Sequence, residues 1–490
     1  MPQRSSKSSK TSKVGETKLA KAVVKKTSSR SGSSKKLTKG VAVTKKTSVV
    51  KPTKKRSRAE DLILLQTLRG MRDLLPGEQA YWEQVRHVVS REAREYGFSR
   101  LDLPVAEYAN LFVRGIGEDT EIVRDQLYSF DSPSGERVVL RPDLTLGVAR
   151  SYIQHGMNVL SRPVKLFSIG PVFRHERPKE GCYRELWQSN FEIIGEEDAV
   201  LDAQVIQLAD SIVNRLGIRH LQFQINSVGS YQSQKAYRTL LGSYLQSKRH
   251  KLPQEFRDLI DTNPFAILDS SEDKCMQVAA SAPQAIDHLD PESRAHFKEV
   301  LEYLDELGIS YVINPHLVRG LGYYTRTVFE IWSTQDGGST YAIGGGGRYD
   351  ELIGRLGCEP TPAIGFALGL DRLVLEMKRV KARVYSEPKP RVFLAQIGVL
   401  AKRKSLKMFS DLERNGVLVA ESFGRGNLKT QMRMAERRGV DVTLVLGQKE
   451  ALDGTVIVKD MVSGSQETVL AEKAVNVVKK ILKNTVGVKK

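Results

Sequence analysis

The chain has 490 residues, a formal net charge of +19, 40% hydrophobic residues and 7% aromatic residues. This length predicts two or three domains with substantial cores, and the composition is typical of a soluble globular protein. The sequence has no apolar run approaching the roughly 18–20 residues of a membrane-spanning helix, and it does not open on a secretory signal pattern. Three cysteines, Cys182, Cys275 and Cys358, lack the spacing of a disulfide framework or a zinc site, which indicates a reducing compartment.

The positive charge is concentrated at the N terminus. Residues 1–58 contain 19 Lys and Arg residues and a single acidic residue, so they carry +18 and leave +1 for residues 59–490. A Lys/Ser/Thr-rich segment without aromatic residues cannot bury enough surface to offset its ordering entropy, so we predict a disordered basic tail over residues 1–60. This tail is either a solvated segment or a polycation that holds RNA phosphates nonspecifically.

From residue 61 onward the hydrophobic pattern is that of a folded protein. Helical spacing of apolar residues predicts a helix from Gly77 to Tyr96. Strands are predicted at residues 98–105, 127–130, 137–146, 164–170 and 185–194. Their close succession predicts an antiparallel sheet.

The residue pattern in the second half of the chain predicts that a helical insertion divides the core and that a separate domain follows it. Residues 231–310 have a polar, helical pattern, which predicts a helical insertion between core segments 61–230 and 311–385. After a linker at 381–391, strands alternate with helices over residues 391–487, which predicts a small α/β domain. The fold class is therefore α+β, with an antiparallel sheet flanked by helices and a C-terminal α/β domain.

Charged side chains interrupt several apolar strand segments. Strand alternation predicts three pairs that each share a face: Arg174 with Glu176, Asp143 with Thr145, and Gln188 with Glu192. Each charge alone is more often exposed or paired, but unpaired buried charges are costly, so we predict one shared polar cavity. Arginines suit phosphate oxygens, and carboxylates suit an amine or an imidazole N–H.

Further along the chain, Arg319 precedes the pair Tyr323–Tyr324, and Arg372 opens a predicted helix. The glycines at 344–347 would let the backbone approach a ligand closely. Neither a GxGxxG sequence nor a Walker A sequence is present, so the nucleotide folds that those motifs mark are not supported.

Taken together, these segments resemble the histidyl-tRNA synthetases, a family of class II aminoacyl-tRNA synthetases, over about residues 63–485. The most specific match is LVRGLGYYTRTVFE (317–330), which is similar to the family's histidine signature. The other matching segments are LRGMRDLLP (68–76), GFSRLDLPV (97–105), GPVFRHERPKEGCYRELWQSNFEIIG (170–195), GGGRYDELI (345–353), TPAIGFALGLDRL (361–373) and GRGNLKTQMRMAERRGVDVTLVLG (424–447). The last of these resembles the anticodon-binding domain.

The resemblance implies roles for individual residues. Arg174 would bind the α-phosphate of ATP, Arg319 would stabilise charge there, and Arg372 would hold the γ-phosphate. Glu176 would contact the adenosine side. The implied histidine-binding residues are Asp143, Leu144, Thr145, Gln188, Glu192, Tyr323 and Tyr324. Asp143 and Thr145 would hold the α-amino group.

The implied function is a ligase that activates L-histidine with ATP to histidyl-adenylate and transfers it to the 3′ end of tRNA(His). ATP would enter with Mg²⁺, whose ligands the sequence does not assign, and no metal site of the protein is predicted. The tRNA would be bound through its acceptor end and its anticodon. The family also implies a cytoplasmic homodimer without membrane association.

Three positions depart from the family pattern. Cys182 stands where arginine is usual, Leu186 where an aromatic residue is common, and Gly322 where aspartate usually precedes the two tyrosines. Two alternatives are open: a catalytically weak, synthetase-like regulatory or tRNA-sensing protein, and a nucleic-acid-binding protein whose functional part is the tail. The signature and the anticodon-binding segment argue against the first alternative, and the near-neutral remainder of the chain argues against the second.

Overall fold

The computed structural model describes residues 65–270, 272–334, 341–384, 388–424 and 427–486. The predicted tail lies outside these residues. The strands are β1 (Ser99–Arg100), β2 (Ala106–Tyr108), β3 (Tyr128–Asp131), β4 (Arg137–Leu140), β5 (Val164–Phe173), β6 (Glu185–Ile194), β7 (Leu221–Ser227), β8 (Tyr311–Ile313), β9 (Thr325–Ser333), β10 (Ala342–Arg348), β11 (Ala363–Gly369), β12 (Val392–Gln396), β13 (Val419–Glu421), β14 (Val442–Leu446), β15 (Thr455–Asp460) and β16 (Gln466–Leu470).

The α-helices are α1 (Gln79–Glu95), α2 (Ala109–Ile116), α3 (Thr145–Gln154), α4 (Ala199–Arg215), α5 (Tyr231–Ser247), α6 (Gln254–Arg257), α7 (Leu259–Thr262), α8 (Phe265–Leu268), α9 (Asp273–Ala279), α10 (Pro291–Glu306), α11 (Leu352–Arg355), α12 (Leu370–Arg379), α13 (Val399–Arg414), α14 (Leu428–Arg438), α15 (Gln448–Asp453) and α16 (Ala474–Val486). Short 3₁₀ or π turns lie at Pro76–Glu78, Ile122–Gln126, Met157–Val159, Arg249–Lys251, Ala285–His288 and Ala471–Lys473.

An eight-stranded sheet forms the centre of the larger part of the fold, in the order β1-β5-β6-β11-β10-β9-β7-β8. The six inner strands, β5, β6, β11, β10, β9 and β7 in spatial order, pair antiparallel with one another. At the two edges, β1 pairs parallel with β5, and β8 pairs parallel with β7. The predicted antiparallel sheet is therefore confirmed. A separate three-stranded sheet has the order β2-β4-β3.

Helices cover the eight-stranded sheet through apolar faces. In α1, the residues at helical spacing, among them Trp82, Val85 and Val89, are fully buried. They pack with side chains of α4 and α12 against a stack of rings in the sheet, in which Phe191 and Phe366 have centroids 4.7 Å apart. Burial of each such side chain contributes roughly 1.5–3 kcal/mol, so this packing fixes the helices on the sheet.

A buried ion pair joins α4 to the eight-stranded sheet, and a histidine of α10 contacts the same carboxylate. Arg348 of β10 is fully buried, and its Nη2 lies 2.5 Å from Oδ2 of Asp202 in α4. The same carboxylate lies 3.1 Å from Nε2 of His296 in α10. Charged groups this deeply buried need such partners, and here the partners come from three different elements.

Helices α5 to α9, within residues 231–280, form a module with its own apolar core, which includes Tyr237, Leu241, Leu245 and Ile260. One carboxylate connects the beginning of α5 with the beginning of α10. Asp290 accepts a hydrogen bond from Ser233 Oγ (2.5 Å) and caps α10 through Ser293 N (2.8 Å).

The C-terminal part contains a five-stranded sheet in the order β13-β12-β14-β15-β16. Strands β12, β13 and β14 are parallel, and β15 and β16 are antiparallel additions. Helices α13 and α16 pack on this sheet through residues such as Met408 and Val478, which gives the predicted α/β domain its core. In the part of the chain that the structure describes, no helix is long and apolar enough to cross a bilayer.

Candidate active site

A cavity of about 330 Å³ opens on the eight-stranded sheet, over β6, β10 and β11. Eight of the eleven predicted site residues line it: Asp143, Thr145, Arg174, Glu176, Gln188, Arg319, Tyr324 and Arg372. They come from segments as much as 229 residues apart, so the structure forms the shared polar cavity that the sequence predicts. The other three, Leu144, Glu192 and Tyr323, are buried next to residues that line it.

The interpretation of residues 137–146 as one strand is wrong. Strand β4 ends at Leu140, and Thr145 is the first residue of α3. Asp143 therefore faces the cavity from a helix start, where its Oδ1 accepts a hydrogen bond from Leu146 N (3.3 Å). Burial raises the pKa of the Asp143 carboxyl, although Arg174 opposes this rise. A short polar side chain commonly satisfies the free N–H groups of a first helical turn, and this explains the geometry.

Arg174 and Glu176 also lie outside a strand, because β5 ends at Phe173. Arg174 Nε donates to the carbonyl of Pro142 (2.9 Å), so the arginine is fixed against the segment that carries Asp143. Its Nη1 lies 4.0 Å from the Glu176 carboxylate. Both residues line the cavity, but they lie in the segment after β5. The strand alternation from which they were predicted therefore does not apply to them.

Gln188 and Glu192 do lie in a strand, β6, as predicted. Glycines face both of them across the pairing with β11, where Gln188 is opposite Gly369 and Glu192 is opposite Gly365. A Cβ atom at position 365 would lie 1.7 Å from Glu192 Oε2, so only glycine leaves room for this carboxylate. The side-chain oxygen of Gln188 is buried and has no hydrogen-bond partner among the described residues. It is therefore free to accept a donor from a ligand.

The Glu192 carboxylate is fully buried and hydrogen-bonded to hydroxyl groups. Oε1 accepts from Thr145 Oγ1 (2.7 Å), and Oε2 accepts from the Tyr349 hydroxyl (2.5 Å). Among the described residues Glu192 forms no ion pair with Arg174, whose guanidinium instead lies near Glu176. Burial raises the pKa of Glu192 to about 8, although these hydrogen bonds oppose the rise. Both hydroxyl residues line the cavity, so Glu192 lies directly behind its wall.

The loop between β8 and β9 supplies Arg319 and the tyrosine pair. Arg319 Nη1 lies 2.5 Å from Oε1 of Glu330 in β9, and Trp332 Nε1 donates to the other carboxylate oxygen of Glu330 (3.0 Å). The Arg319 guanidinium also lies 5.7 Å from the ring centroid of Tyr324, whose ring is 4.6 Å from that of Tyr323. The arginine is therefore held in one position before any ligand binds.

Arg372 extends from the first turn of α12 to the turn between β5 and β6. Its Nε donates to Gly181 O (3.1 Å), its Nη1 to Ala342 O, and its Nη2 lies 3.1 Å from Cys182 Sγ. The residue that departs from the family pattern at position 182 thus contacts a predicted phosphate-binding arginine. Leu186, the second departure, also lines the cavity.

Strand β10 forms the floor of the cavity without side chains at four consecutive positions. A Cβ at Gly345 would lie 2.6 Å from both Arg319 Nη1 and Phe329 O, and a Cβ at Gly346 would lie 2.1 Å from Gly365 O. The glycines at 344 and 347 are equally close to the backbones of the neighbouring strands. The four glycines thus allow β10 to lie close to β9 and β11, and they leave room for the side chain of Arg319.

Three site residues were not predicted from the sequence: Tyr349, Glu330 and Asp269. Tyr349 and Glu330 both lie in segments that carry the family resemblance, residues 345–353 and 317–330. Asp269 follows α8 of the helical module, and nothing in its local sequence indicates that it lines the cavity.

The cavity can bind an anionic ligand through three arginines and a cationic or N–H-bearing ligand through Asp143, Thr145 and Gln188. Such a combination suits a reaction between a polyphosphate and a small amine-bearing molecule. Among the described residues, no group of three or more His, Cys, Asp or Glu side chains could hold a metal ion.

Comparisons with known proteins agree with this geometry. The sequence model of a family described as histidyl-tRNA synthetase matches residues 70–373, and that of an anticodon-binding domain matches residues 392–481. A histidine–tRNA ligase of Dehalococcoides mccartyi is 40% identical over 417 residues, covering 85% of this chain and all of the relative. One of Desulforamulus reducens is 38% identical over 401 residues, covering 82% and 96%. The crystal structure of apo S. aureus histidyl-tRNA synthetase is similar with a TM-score of 0.69 and 31% identity, covering 84% of this chain and 99% of that one.

Proposed function

Because the chain belongs to the histidyl-tRNA synthetase family, we propose that it activates L-histidine with ATP and transfers the histidyl group to tRNA(His). The observation that carries this proposal is the convergence of Arg174, Arg319 and Arg372 with Asp143 and Gln188 on one cavity. The C-terminal match to an anticodon-binding domain supports tRNA as the second substrate.

In the first step, a carboxylate oxygen of histidine attacks the α-phosphorus of ATP. The bond from this phosphorus to the bridging oxygen breaks, and pyrophosphate leaves. Arg174 and Arg319 stabilise the charge at the α-phosphate, and Arg372 holds the γ-phosphate. Glu176 lies on the adenosine side. Catalysis here is positioning and electrostatic stabilisation, and the contacts that fix the arginines in advance support it.

In the second step, the 3′-terminal ribose hydroxyl of the tRNA attacks the carbonyl carbon of histidyl-adenylate. The bond from this carbon to the phosphate oxygen breaks, AMP leaves, and the proton of the hydroxyl passes to water. The acceptor end of the tRNA would approach the turn between β5 and β6, which carries Cys182.

The histidine would be oriented by polar groups from three elements. Asp143 and Thr145 hold the α-amino group at the start of α3, and Gln188 faces the same space from β6. Leu144, Tyr323 and Tyr324 shape the pocket. Glu192 acts on the imidazole from behind the cavity wall, through Thr145 and Tyr349, whose hydroxyls hydrogen-bond to its carboxylate.

ATP would enter as its Mg²⁺ complex, with the ion on the phosphates. The sequence and the described residues assign no particular protein ligands to this ion. Mg²⁺ typically binds through phosphates and water with few protein ligands, which is compatible with this arrangement.

A cytoplasmic homodimer is part of the proposal. The small three-stranded sheet and the turn after α3 expose large apolar side chains: Val105, Tyr108, Phe130, Val159 and Leu160. Large apolar side chains that are exposed to water favour burial against a partner, which a second copy of the chain would provide. Light scattering after gel filtration should give twice the mass of 54.8 kDa, and a monomeric mass would contradict this part of the proposal.

The decisive experiment is histidine-dependent exchange of labelled pyrophosphate into ATP, followed by charging of tRNA(His). Exchange with histidine but not with the other amino acids is expected. A protein that binds uncharged tRNA but catalyses no exchange would instead be the regulatory or tRNA-sensing alternative.

A further inference from the structure

The loop between β8 and β9, residues 314–324, carries Arg319, Tyr323 and Tyr324 and is hereafter the signature loop. Residues 314–324 form neither helix nor strand, so their backbone depends on contacts with neighbouring elements. One neighbour is β7, where Asn226 Nδ2 donates to Leu317 O (3.0 Å). Two others belong to the helical module of α5–α9.

The first contact from the helical module is made by Gln234 in α5. Its Nε2 donates to the carbonyl oxygen of Tyr324 (2.8 Å) and also to that of Gly229 (3.2 Å), which precedes α5. The side chain is half-buried and bridges the base of the module to the end of the signature loop. Tyr324 lines the cavity, and its backbone position thus depends on a residue outside the eight-stranded sheet.

The second contact is made by Asp269, which directly follows α8. Its carboxylate lies against the backbone of Gly320, and the Gly320 N–H favours the charged form of the carboxylate. The approach is so close that a Cβ at position 320 would lie 2.6 Å from Oδ2. Gly320 is the residue after Arg319, so Asp269 fixes the backbone from which the guanidinium extends.

The surroundings of Asp269 support a fixed position. Limited hydration among protein atoms and the nearby Glu330 and Glu121 raise the pKa of Asp269 to about 6, while Arg319 opposes the rise. Part of the residue remains open to the cavity. At neutral pH the carboxylate is charged, and its charge attracts the neighbouring N–H of Gly320.

We propose that the helical module positions the signature loop for amino-acid activation, with Gln234 and Asp269 as its two positioning residues. This inference rests on the proposed function. It assigns the module a role in adenylate formation that requires no tRNA, because both contacts are made to the loop backbone within this chain. Gln234 acts on the histidine side through Tyr324, and Asp269 acts on the phosphate side through Arg319.

The test is histidine-dependent pyrophosphate exchange without tRNA, using five single variants of the full chain, two of which are controls. Gln234→Leu should raise the KM for histidine by about threefold to tenfold with an unchanged KM for ATP, because one hydrogen bond to Tyr324 is lost. Asp269→Ala should lower kcat by a similar factor. Asp269→Asn should restore most of that loss, since the amide oxygen can still accept the Gly320 N–H.

Gln246→Leu and Asp261→Asn are the matched controls. These two residues belong to the same module, are exposed, and hydrogen-bond to each other (2.9 Å), and neither contributes a hydrogen bond to the signature loop among the described residues. Both controls should retain the exchange kinetics of the unmodified protein.

Four outcomes would overturn the inference. In the first, Gln234→Leu and Asp269→Ala lower only the thermal midpoint and leave the exchange kinetics unchanged, which indicates a purely structural role. Asp269→Asn could be as impaired as Asp269→Ala, which indicates a role of the charge alone. The controls could be equally impaired, or defects could occur only in tRNA charging. Failure of the unmodified protein to exchange would instead contradict the proposed function, so the two failures are distinguishable.

Discussion

Gly322 lies against the end of α2, so close that a Cβ at this position would be 2.7 Å from the carbonyl oxygen of Ile116. This contact explains why glycine stands where the family pattern has aspartate: the backbone here leaves no space for any side chain. Gly322→Asp should therefore displace the signature loop and cost about 1–3 kcal/mol of stability, as overpacking typically does. The thermal midpoint should fall, and the KM for histidine should rise because Tyr323 and Tyr324 follow directly.

Gly322→Ala separates the two effects of that substitution. It adds the same Cβ without a carboxylate, so it should show most of the same loss. If Gly322→Asp instead has better kinetics and an unchanged melting temperature, the position tolerates the family residue and the steric explanation is wrong.

Arg319 is predicted to act in the transition state of adenylate formation. Arg319→His should lower the rate of this step by orders of magnitude and leave the KM values for histidine and ATP little changed. Pre-steady-state measurement of adenylate formation provides the test. A variant whose only defect is a raised KM would contradict the assignment.

The ion pair with Glu330 adds a complication that a second variant resolves. Arg319→His leaves a largely buried carboxylate without its arginine, so the protein should also become less stable. The double variant Arg319→His/Glu330→Gln should recover stability but not activity. Recovery of both would mean that the loss of activity came from unfolding.

Glu192 should make stability depend on pH in a direction opposite to that of most carboxylates. Its pKa is about 8 in the folded protein and 4.5 as an ordinary glutamate. Between these values the folded chain binds a proton that the unfolded chain has lost, so stability falls as pH rises to about 8 and then levels off. Glu192→Gln lacks this proton, and its stability relative to the unmodified protein should increase by up to about 1.4 kcal/mol per pH unit in that window.

Thermal midpoints of both proteins at pH 5, 6, 7 and 8 would reveal this divergence, and parallel curves would show that Glu192 is not shifted. The same variant should discriminate less well for histidine while its ATP binding changes little, because a misfit leaves a buried polar group unpaired. A Glu192→Gln protein with unchanged histidine KM and kcat would make Glu192 a structural partner of Thr145 and Tyr349 alone.

The N-terminal tail is predicted to strengthen tRNA binding without affecting amino-acid activation. Residues 1–58 carry +18 of the chain's +19 charge. Deleting them should flatten the slope of log affinity for tRNA against log salt concentration, because fewer counterions are released on binding. Pyrophosphate exchange should be unchanged. Equal salt slopes with and without the tail would exclude an RNA-binding role.

The parts of the fold that could be predicted are those whose local pattern decides their structure. The apolar positions of α1 and the charged positions of β6 follow the helical and strand periods, so their burial could be expected. The residue at which α3 begins could not be predicted from these periods. Residues 141–146 alternate like a strand, but α3 begins at Thr145, and Asp143 accepts a hydrogen bond from Leu146 N in its first turn.

The candidate site was only partly predictable for a different reason. Arg319 and Tyr324 lie in a distinctive segment, whereas Asp269 reaches the cavity through tertiary packing of the helical module. An aspartate after a four-residue helix has no sequence feature that distinguishes it from the other acidic residues on that module. Tyr349 could have been found, because it lies beside the glycine run.

Strand β10 has a consequence for tolerance to mutation. In an ordinary strand, positions facing a core and positions facing solvent alternate, so substitutions are tolerated at every second residue. Residues 344–347 should instead be intolerant at four positions in succession, since a single added methyl group would meet backbone atoms of β9 or β11 on either face. In a library of all single substitutions selected for growth, this stretch should form an unbroken block in which glycine alone survives.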